Sequence, residues 1–506
     1  MLYSVKYGHQ KLSLAIPDTC PTDVIEPITV LPLEAPLEAF EAALDSPLGH
    51  PPLSALPQPA SVAIAVPDET RPVPVRDLLP PLLERIFAAF PKLDHRRITI
   101  VVGGGLHEPP DQAQLDRVLP ADLHGCTVVS HDAHNSPICR MGVTSRGTPV
   151  EINAAYACAE LKIVMGMVDA HQFAGFTGGA KGVVVGCASA AMIAHNHSLL
   201  SHAQAFAGNL EGNPVREDLN ESGVIAGVNI AINVALTAEK KIAALFVGDP
   251  QLVLRRAAQE TRALYGHRLH KKYDVVIASC GGLPKDICLY QAQKALDAAR
   301  HCAAPQGKIL LVAECSQGIG DDVYEDYVSR FTCQQDLLKD FTQHEFKMGA
   351  HKAFLFGRVA VAHELVLHTE LSERDTSRCL LRKGDAQQTL DAWFGMSISE
   401  ISSSSKVPPS ASSNLPGLRA MAPVKAPFSC PKSSLSSRCS GKAAQLTATK
   451  GWSARLLMRG RKPQANTALT RRIDLSTLQP TEMKTTPLRP LLPMQKTPFP
   501  WLPPRR

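Results

Sequence analysis

Short apolar runs separated by polar, glycine-rich and proline-rich breaks recur through the first 400 residues, and their spacing sets the expected fold. SVAIAV at 61–66 and ITIVV at 98–102 have strand length and are bounded by turn formers. Such runs suit strands buried on both faces of a sheet. CTVVS at 126–130, TPVEIN at 148–153 and KIVMG at 162–166 continue the series, and the alternation in KLSLAI at 11–16 predicts an opening strand or hairpin. Helical spacing appears between them, in DQAQLDRVL at 111–119 and in LLERIFAAF at 82–90, with Pro80 and Pro81 suited to a first helical turn. This alternation predicts an open α/β sheet. Its strand ends converge on Asp68, Arg71, His107 and His171, each in a polar or glycine-rich loop after an apolar run.

A second α/β unit is expected from about residue 271. YDVVIAS reads as a buried strand, a glycine-proline turn follows, and the next helix carries Gln291 and Lys294 three residues apart on one face. GKILLVAEC at 307–315 and FLFGRVAVA at 354–362 read as further strands. The expected organisation is a first α/β domain over 1–270, a second over 271–395, and a ligand cleft between them. From 396 to 506 serine and proline dominate without helical or strand period, which predicts a disordered C-terminal tail.

Charge sharpens this division. Residues 401–506 hold 18 Lys and Arg against two acids, a net +16, whereas 1–400 hold 35 basic and 45 acidic residues, a net −10. The overall +6 is therefore a property of the tail and gives no reason to expect specific nucleic-acid binding by the folded body. The 13 cysteines show no C-x-x-C pair or metal-finger spacing, which fits a reducing cytoplasm. No segment has the roughly 20 apolar residues needed to cross a bilayer, and the opening residues do not read as a signal peptide.

The richest chemistry lies in DAHQFAGFTGGAKGVVVGCASAAMIAHNHS, 169–198. Gly175, Gly178 and Gly179 permit positive φ or close approach of a bulky anion, and the apolar run after Lys181 reads as one following helix. A lysine at the mouth of such a turn, partly desolvated, becomes a usable nucleophile. His171 and His197 bracket it, and His195 competes with His197 because residues two apart on a helix face different ways. Two familiar labels fail. GGGLHE lacks the third glycine of a dinucleotide fingerprint, and Ala180 and Gly182 stand where a phosphate-binding P-loop needs glycine and a hydroxyl residue. Histidines are often structural, Gln291 and Lys294 alone could be solvated helix residues, and Arg71 could cap a helix or pair with Glu69.

Taken together, PDETRP, GGGLHEPP, HQFAGFTGGAKGVVVG with the later HNH, and GGLPKDICLYQAQKALDAA resemble, in order and spacing, the nickel-dependent lactate racemase family of 2-hydroxy acid racemases and epimerases. The resemblance covers most of residues 1–400. It implies two α/β domains and a nickel(II) pincer nucleotide, a pyridinium-3,5-bisthiocarboxylic acid mononucleotide holding nickel through S, C and S. By position, Lys181 resembles the lysine that attaches the cofactor, and His197 the fourth nickel ligand. His107 and His171 match the acid/base pair. Asp68, Thr70 and Arg71 match the loop holding cofactor and substrate, Gly178 and Gly179 the cofactor turn, and Gln291 and Lys294, with Arg71, the substrate-binding residues. The implied partners are a small 2-hydroxy acid and the enzymes that make the cofactor. A cofactor carrier without turnover and a dehydrogenase-like enzyme with a dissociable nucleotide are the alternatives. Two positions depart from the family pattern: Val185 replaces a proline, and Glu108 replaces an arginine.

Overall fold

The structure, a computed structural model, describes residues 1–344 and 346–395 together with 445–447 and 456–459. Two six-stranded sheets form its frame. The first contains, in spatial order, Ile242–Gly248, Ile230–Leu236, Leu161–Met167, Val62–Pro67, Ile98–Gly103 and Thr127–Ser130. All neighbours are parallel except the Ile242–Gly248 edge strand. The order reverses between Val62–Pro67 and Leu161–Met167, a switch point of the kind where ligands bind beyond the carboxyl ends of strands.

Side-chain size is sorted between the two faces of this sheet. Val62, Ile64 and Val66, with Ile98, Ile100, Val102, Ile163, Met165, Ile232 and Val234, point into one core under the helices Pro36–Asp45 and Val75–Ala89. The opposite face carries smaller groups, among them Ala63, Ala65 and Ala231, and faces the segment 173–188. Small side chains there let that segment lie close to the sheet: a Cβ on Gly182 would stand 2.7 Å from Val164 Cγ2.

The second sheet has the order Arg382–Lys383, Glu364–His368, Ala303–Val312, Tyr273–Ser279, Leu456–Arg459 and Thr22–Ile25. Val275, Ile277, Leu310, Val312 and Val366 pack on one side with Val5 and Leu14 of the hairpin Leu2–Tyr7/Gln10–Ala15. The other side joins the helices Leu289–Cys302 and His351–Ala362 in a core continuous with the small-residue face of the first sheet.

Several expectations need correction. The first 25 residues, assigned from sequence to the first domain, lie with the second sheet, because the alternation in the opening hairpin supplies one apolar face that only that sheet covers. FLFGRVAVA, expected as a strand, lies within the helix His351–Ala362, and the strand is the next run, Glu364–His368. A short apolar run has no period to separate the two states. This one is buried on nearly all sides, from Ala353 through Gly357. The run after Lys181 is two helices, Lys181–Val184 and Ala190–Ser198, the second started by Ser189, whose hydroxyl accepts from Met192 N. Between them the backbone is bonded outward, Gly105 N to Gly186 O and Asn153 N to Cys187 O. Pro80 and Pro81 sit inside the helix Val75–Ala89 and not in its first turn. Burial of Leu78, Leu79, Leu82, Leu83 and Ile86 offsets the two missing donors. TPVEIN pairs with Ile138–Val143 in a separate ribbon. Most of the tail expected to be disordered lies outside the described residues. Two segments of it differ from that expectation: Gln445–Thr447 pairs with Gly266–Arg268, and Leu456–Arg459 lies antiparallel between Tyr273–Ser279 and Thr22–Ile25.

The close approach at the 182–186 turn yields a stability test. A Cβ on Gly186 would fall 2.1 Å from Gly182 O, a backbone atom that cannot swing aside. Gly186→Ala is expected to destabilise the protein by about 1–3 kcal/mol, as overpacking does. A thermal or urea midpoint equal to wild type would contradict this packing.

Candidate functional site

The carboxyl ends of three adjacent strands deliver the first groups. Asp68 follows Val62–Pro67, His107 follows the Gly104–Gly105 turn after Ile98–Gly103, and His171 follows Leu161–Met167. Buried Asp68 accepts from Thr70 Oγ1 at 2.6 Å and pairs with His107 Nδ1 at 2.7 Å. Burial pushes the Asp68 carboxyl up, but the hydrogen bonds from His107 and Thr70 outweigh it and hold it below the ordinary value. An ionised carboxylate only accepts, so His107 carries its proton on Nδ1 and leaves Nε2 with a free lone pair. The His107 side chain is itself exposed.

His171 has the opposite commitment. Its Nδ1 accepts from the Ala174 backbone N–H at 3.3 Å, so the neutral ring carries its proton on Nε2. Burial, followed by the charges of Lys181, His197, Arg216 and Arg71, pushes it well below the usual histidine range. The loop bearing His171 is held from behind through its carbonyls. Asn213 Nδ2 donates to Phe173 O at 2.8 Å, Arg216 Nε to Ala174 O at 3.0 Å, and Arg216 Nη2 to Phe176 O. Arg216 is buried, its Nη1 has no partner among the described residues, and burial lowers it to about 9.

Gly178 and Gly179 both adopt positive φ, +90° and +59°, and the Gly179 N–H donates to Asn233 Oδ1 at 2.8 Å. This turn sets up half-buried Lys181, whose amine has no hydrogen bond or ion pair among the described residues. Burial, then the charges of Arg71 and Arg216, lowers it to about 7. A large fraction is therefore the neutral, nucleophilic amine at neutral pH.

The two competing histidines of the following helix separate clearly. His195 Nε2 turns to Arg146 O at 3.1 Å, away from the lysine. His197 is buried, and its Nδ1 meets Asn196 Oδ1 at 3.1 Å. Asn196 is oriented by donating Nδ2 to Val215 O and to Asp218 Oδ2, and Asp218 in turn accepts from Thr144 and Thr148. Asn196 Oδ1 therefore accepts from His197 Nδ1, which leaves Nε2 as an unprotonated donor atom. Burial and the charge of Lys181 lower His197 to about 3, so it stays neutral.

From the second sheet come Gln291 and Lys294, both half-buried on the helix Leu289–Cys302. Lys294 is lowered to about 8 by burial and by Arg71. Arg71 is the electrostatic hub, since its charge acts on Asp68, His171, Lys181 and Lys294 alike. It does not pair with Glu69, which is taken by Arg117 and Gln114. Glu108 is exposed, and Val185 lies in the break between the two helices. Sequence reasoning missed His351 and Lys352, both buried, because they open the helix whose FLFGRVAVA run was read as a strand. It also missed Arg216, Asn196 and Asp218, whose roles run through contacts distant in the chain. The only sequence signal was a cap-like Asn213-Pro214 before a helix carrying Arg216 and Asp218.

The arrangement defines a class: a two-sheet α/β protein in which a lysine amine lowered to about 7 stands with three histidines whose ring nitrogens are fixed by their neighbours. The comparisons supply the family. The lactate racemase N-terminal domain model matches residues 7–208 and the lactate racemase C-terminal domain model residues 269–388. The lactate racemase of Lactiplantibacillus plantarum is 30% identical over 350 residues, 67% of this chain and 81% of that protein. That of Thermoanaerobacterium thermosaccharolyticum is 27% identical over 341 residues, 66% and 79% respectively. The solved lactate racemase apoprotein from Thermoanaerobacterium thermosaccharolyticum superposes with a TM-score of 0.70 at 25% identity, covering 78% of this chain and 95% of that one. A Thermotoga maritima protein, 15% identical with a TM-score of 0.50, shares the fold. This chain belongs to the lactate racemase family, a family of isomerases.

Two measurements follow from the site. Acylation of Lys181 in cofactor-free protein, followed by peptide mass spectrometry against pH, should show a midpoint near 7, and a midpoint in the ordinary lysine range would contradict the buried, charge-repelled amine. His197 gives a stability signature. Its folded value of about 3 lies below the ordinary 6.5, so in that window the unfolded chain binds a proton that the folded chain does not. Stability from this group is present above pH 6.5 and lost as pH falls, by ~1.4 kcal/mol per pH unit. Urea unfolding between pH 7 and pH 5 should be shallower in its pH dependence for His197→Phe by roughly that amount, and equal slopes would refute the buried neutral state.

Proposed function

We propose that this chain is a racemase or epimerase of 2-hydroxy acids that carries a nickel pincer nucleotide on Lys181. The observation that carries the reading is the opposite proton placement on His107 and His171: Asp68 leaves one with a free Nε2 lone pair, and the Ala174 N–H leaves the other with an Nε2 proton. A reaction that takes a hydroxyl proton on one side of a substrate and returns it on the other needs an acceptor aimed from one face and a donor from the other.

The residues present fit the cofactor. Lys181 offers a neutral amine without a competing partner among the described residues, suited to a covalent acyl or thioacyl link. His197 offers one imidazole lone pair aligned by Asn196. Among the described residues no three His, Cys, Asp or Glu side chains group closely enough to hold a metal ion, so a metal at His197 would take its other donors from an organic ligand. S, C, S and imidazole donors suit the square-planar geometry of nickel(II). Arg71 and Arg216 supply positive charge that a phosphate-bearing nucleotide and a carboxylate substrate would balance. Gly178 and Gly179 let the lysine turn pack against Val168, Asn233 and Pro250, where a Cβ on either would crowd it.

In this reading Arg71 and Lys294 bind the substrate carboxylate, with Gln291 on the same helix as Lys294. His107 Nε2 takes the hydroxyl proton, and Asp68 stabilises the imidazolium that results. When bound, the nucleotide supplies a reversible acceptor for the α-hydrogen as hydride. On the opposite face His171 Nε2–H donates a hydrogen bond to the substrate oxygen; the neutral ring becomes a proton source only after taking up a proton itself, and for the other enantiomer the two histidines exchange roles. The two curated relatives are named lactate racemases, and lactate is the simplest member of the substrate class. The division into a lobe near 26–270 that carries the lysine and a lobe built by the first 25 residues and 271–395 suits closure over the substrate. Enzymes that make the cofactor are its necessary partners. Among the described residues no helix is long and apolar enough to cross a membrane, and the unpaired cysteines favour a cytoplasmic setting.

The test uses full-length protein co-expressed with cofactor-making enzymes. Chiral chromatography of D- and L-2-hydroxy acids should show interconversion. His107→Ala and His171→Ala should each reduce it roughly 10²–10⁴-fold while retaining nickel, and His197→Ala should lose nickel. A loaded protein that interconverts none of these acids would transfer the reading to a cofactor carrier.

A further inference from the structure

A buried lysine joins the two sides of the site. Lys352, only 3% exposed, stands at the start of the helix His351–Ala362 and donates from Nζ to Gln172 Oε1 and to Gln293 Oε1, both at 2.9 Å. Gln172 Nε2 donates to the same Gln293 oxygen at 2.8 Å, closing a three-membered network. The ammonium also lies over the Tyr290 ring, 5.3 Å from its centroid. A second contact runs beside the first: Phe173 meets the His351 ring edge-on at 6.4 Å.

The placement of the glutamines gives the network its meaning. Gln172 directly follows His171 and belongs to the loop held by Asn213 and Arg216. Gln293 lies between Gln291 and Lys294 on the helix Leu289–Cys302 and is fully buried. No carboxylate is ion-paired with Lys352 among the described residues, since Asp297 is held by Arg300 and Arg358. Burying a lysine nitrogen against two amide oxygens is costly compared with an apolar side chain of the same length. What the lysine adds is direction, because its N–H donors fix both amides at once whether or not it carries charge.

We propose that Lys352 is a positioning residue: through Gln172 and Gln293 it holds the His171 loop and the Gln291/Lys294 helix in one register, so that the proton-transfer group and the substrate-binding groups meet the same substrate atoms. The proposal rests on the racemase reading above and deepens it. Displacement of reacting groups by about 1 Å costs up to roughly 100-fold in rate without altering the groups that bind the substrate. Loss of the network should therefore lower kcat and leave KM nearly unchanged.

A double-mutant cycle in the cofactor-loaded full chain tests this. Gln172→Ala and Lys352→Met should each lower kcat roughly 10- to 100-fold with KM within about threefold of wild type. The double variant should be no slower than the slower single variant, because one network is removed either way. Rate losses that multiply in the double variant, or a lowered thermal midpoint with kcat and KM unchanged, would overturn the proposal. A readout without turnover keeps the two readings apart. In Lys352→Met, amide hydrogen exchange should rise in the 171–176 loop as well as in 289–302, and Gln172→Ala should reproduce the rise in both. If the wild-type protein does not racemise, the racemase reading fails and the exchange measurement alone decides the register role, which unchanged exchange in 171–176 would refute.

Discussion

Positive charge held out of water without matching negative charge is the constraint on which the site depends. Lys181, Arg216 and Lys352 stand near three imidazoles, and the nearby acids Asp68 and Asp297 are committed to His107 and Thr70 and to Arg300 and Arg358. Burial and mutual repulsion both favour loss of protons from the basic groups. That is costly for stability and useful for chemistry, since it leaves a neutral amine at Lys181 and neutral rings at His171 and His197. The same imbalance gives an anionic ligand a large electrostatic reason to bind.

The scaffold makes this arrangement possible by keeping the inner face of the first sheet small. Ala63, Ala65 and Ala231 admit the glycine-rich 175–186 segment against the strands, while larger residues fill the outer core. The segment is then fastened through backbone groups, by Asn213, Arg216 and Asn233. Its functional side chains remain free because the backbone carries the attachment. The tautomers follow the same logic. Asp68, the Ala174 N–H and Asn196 each fix one ring nitrogen, so the other nitrogen of His107, His171 and His197 is assigned before any ligand arrives.

The errors of sequence reading share a cause. FLFGRVAVA and the run 182–194 are apolar and buried over most of their length, and such a segment carries little period from which to tell strand from helix. Pro80 and Pro81 marked a helix correctly but misplaced its start, because burial of leucines on both sides outweighs the lost hydrogen bonds. Leu456–Arg459 and Thr22–Ile25 pair across more than four hundred residues, a partnership that local composition does not signal.

Sequence by itself determined the α/β character, the strands that end at Asp68, His107 and His171, and the glycines whose positive φ shapes the lysine turn. These are local properties: apolar run length, turn chemistry and the freedom of residues without a Cβ. The four separated motifs also pointed to the family that the comparisons establish. Tertiary structure alone decided that His195 turns to Arg146 O while His197 is bonded to Asn196, that Glu69 pairs with Arg117 and not Arg71, and that Lys352 and Arg216 reach the His171 loop. Which nitrogen carries a proton, and which cation lacks a counterion, depends on groups brought together from distant parts of the chain, and neither spacing nor composition encodes that meeting.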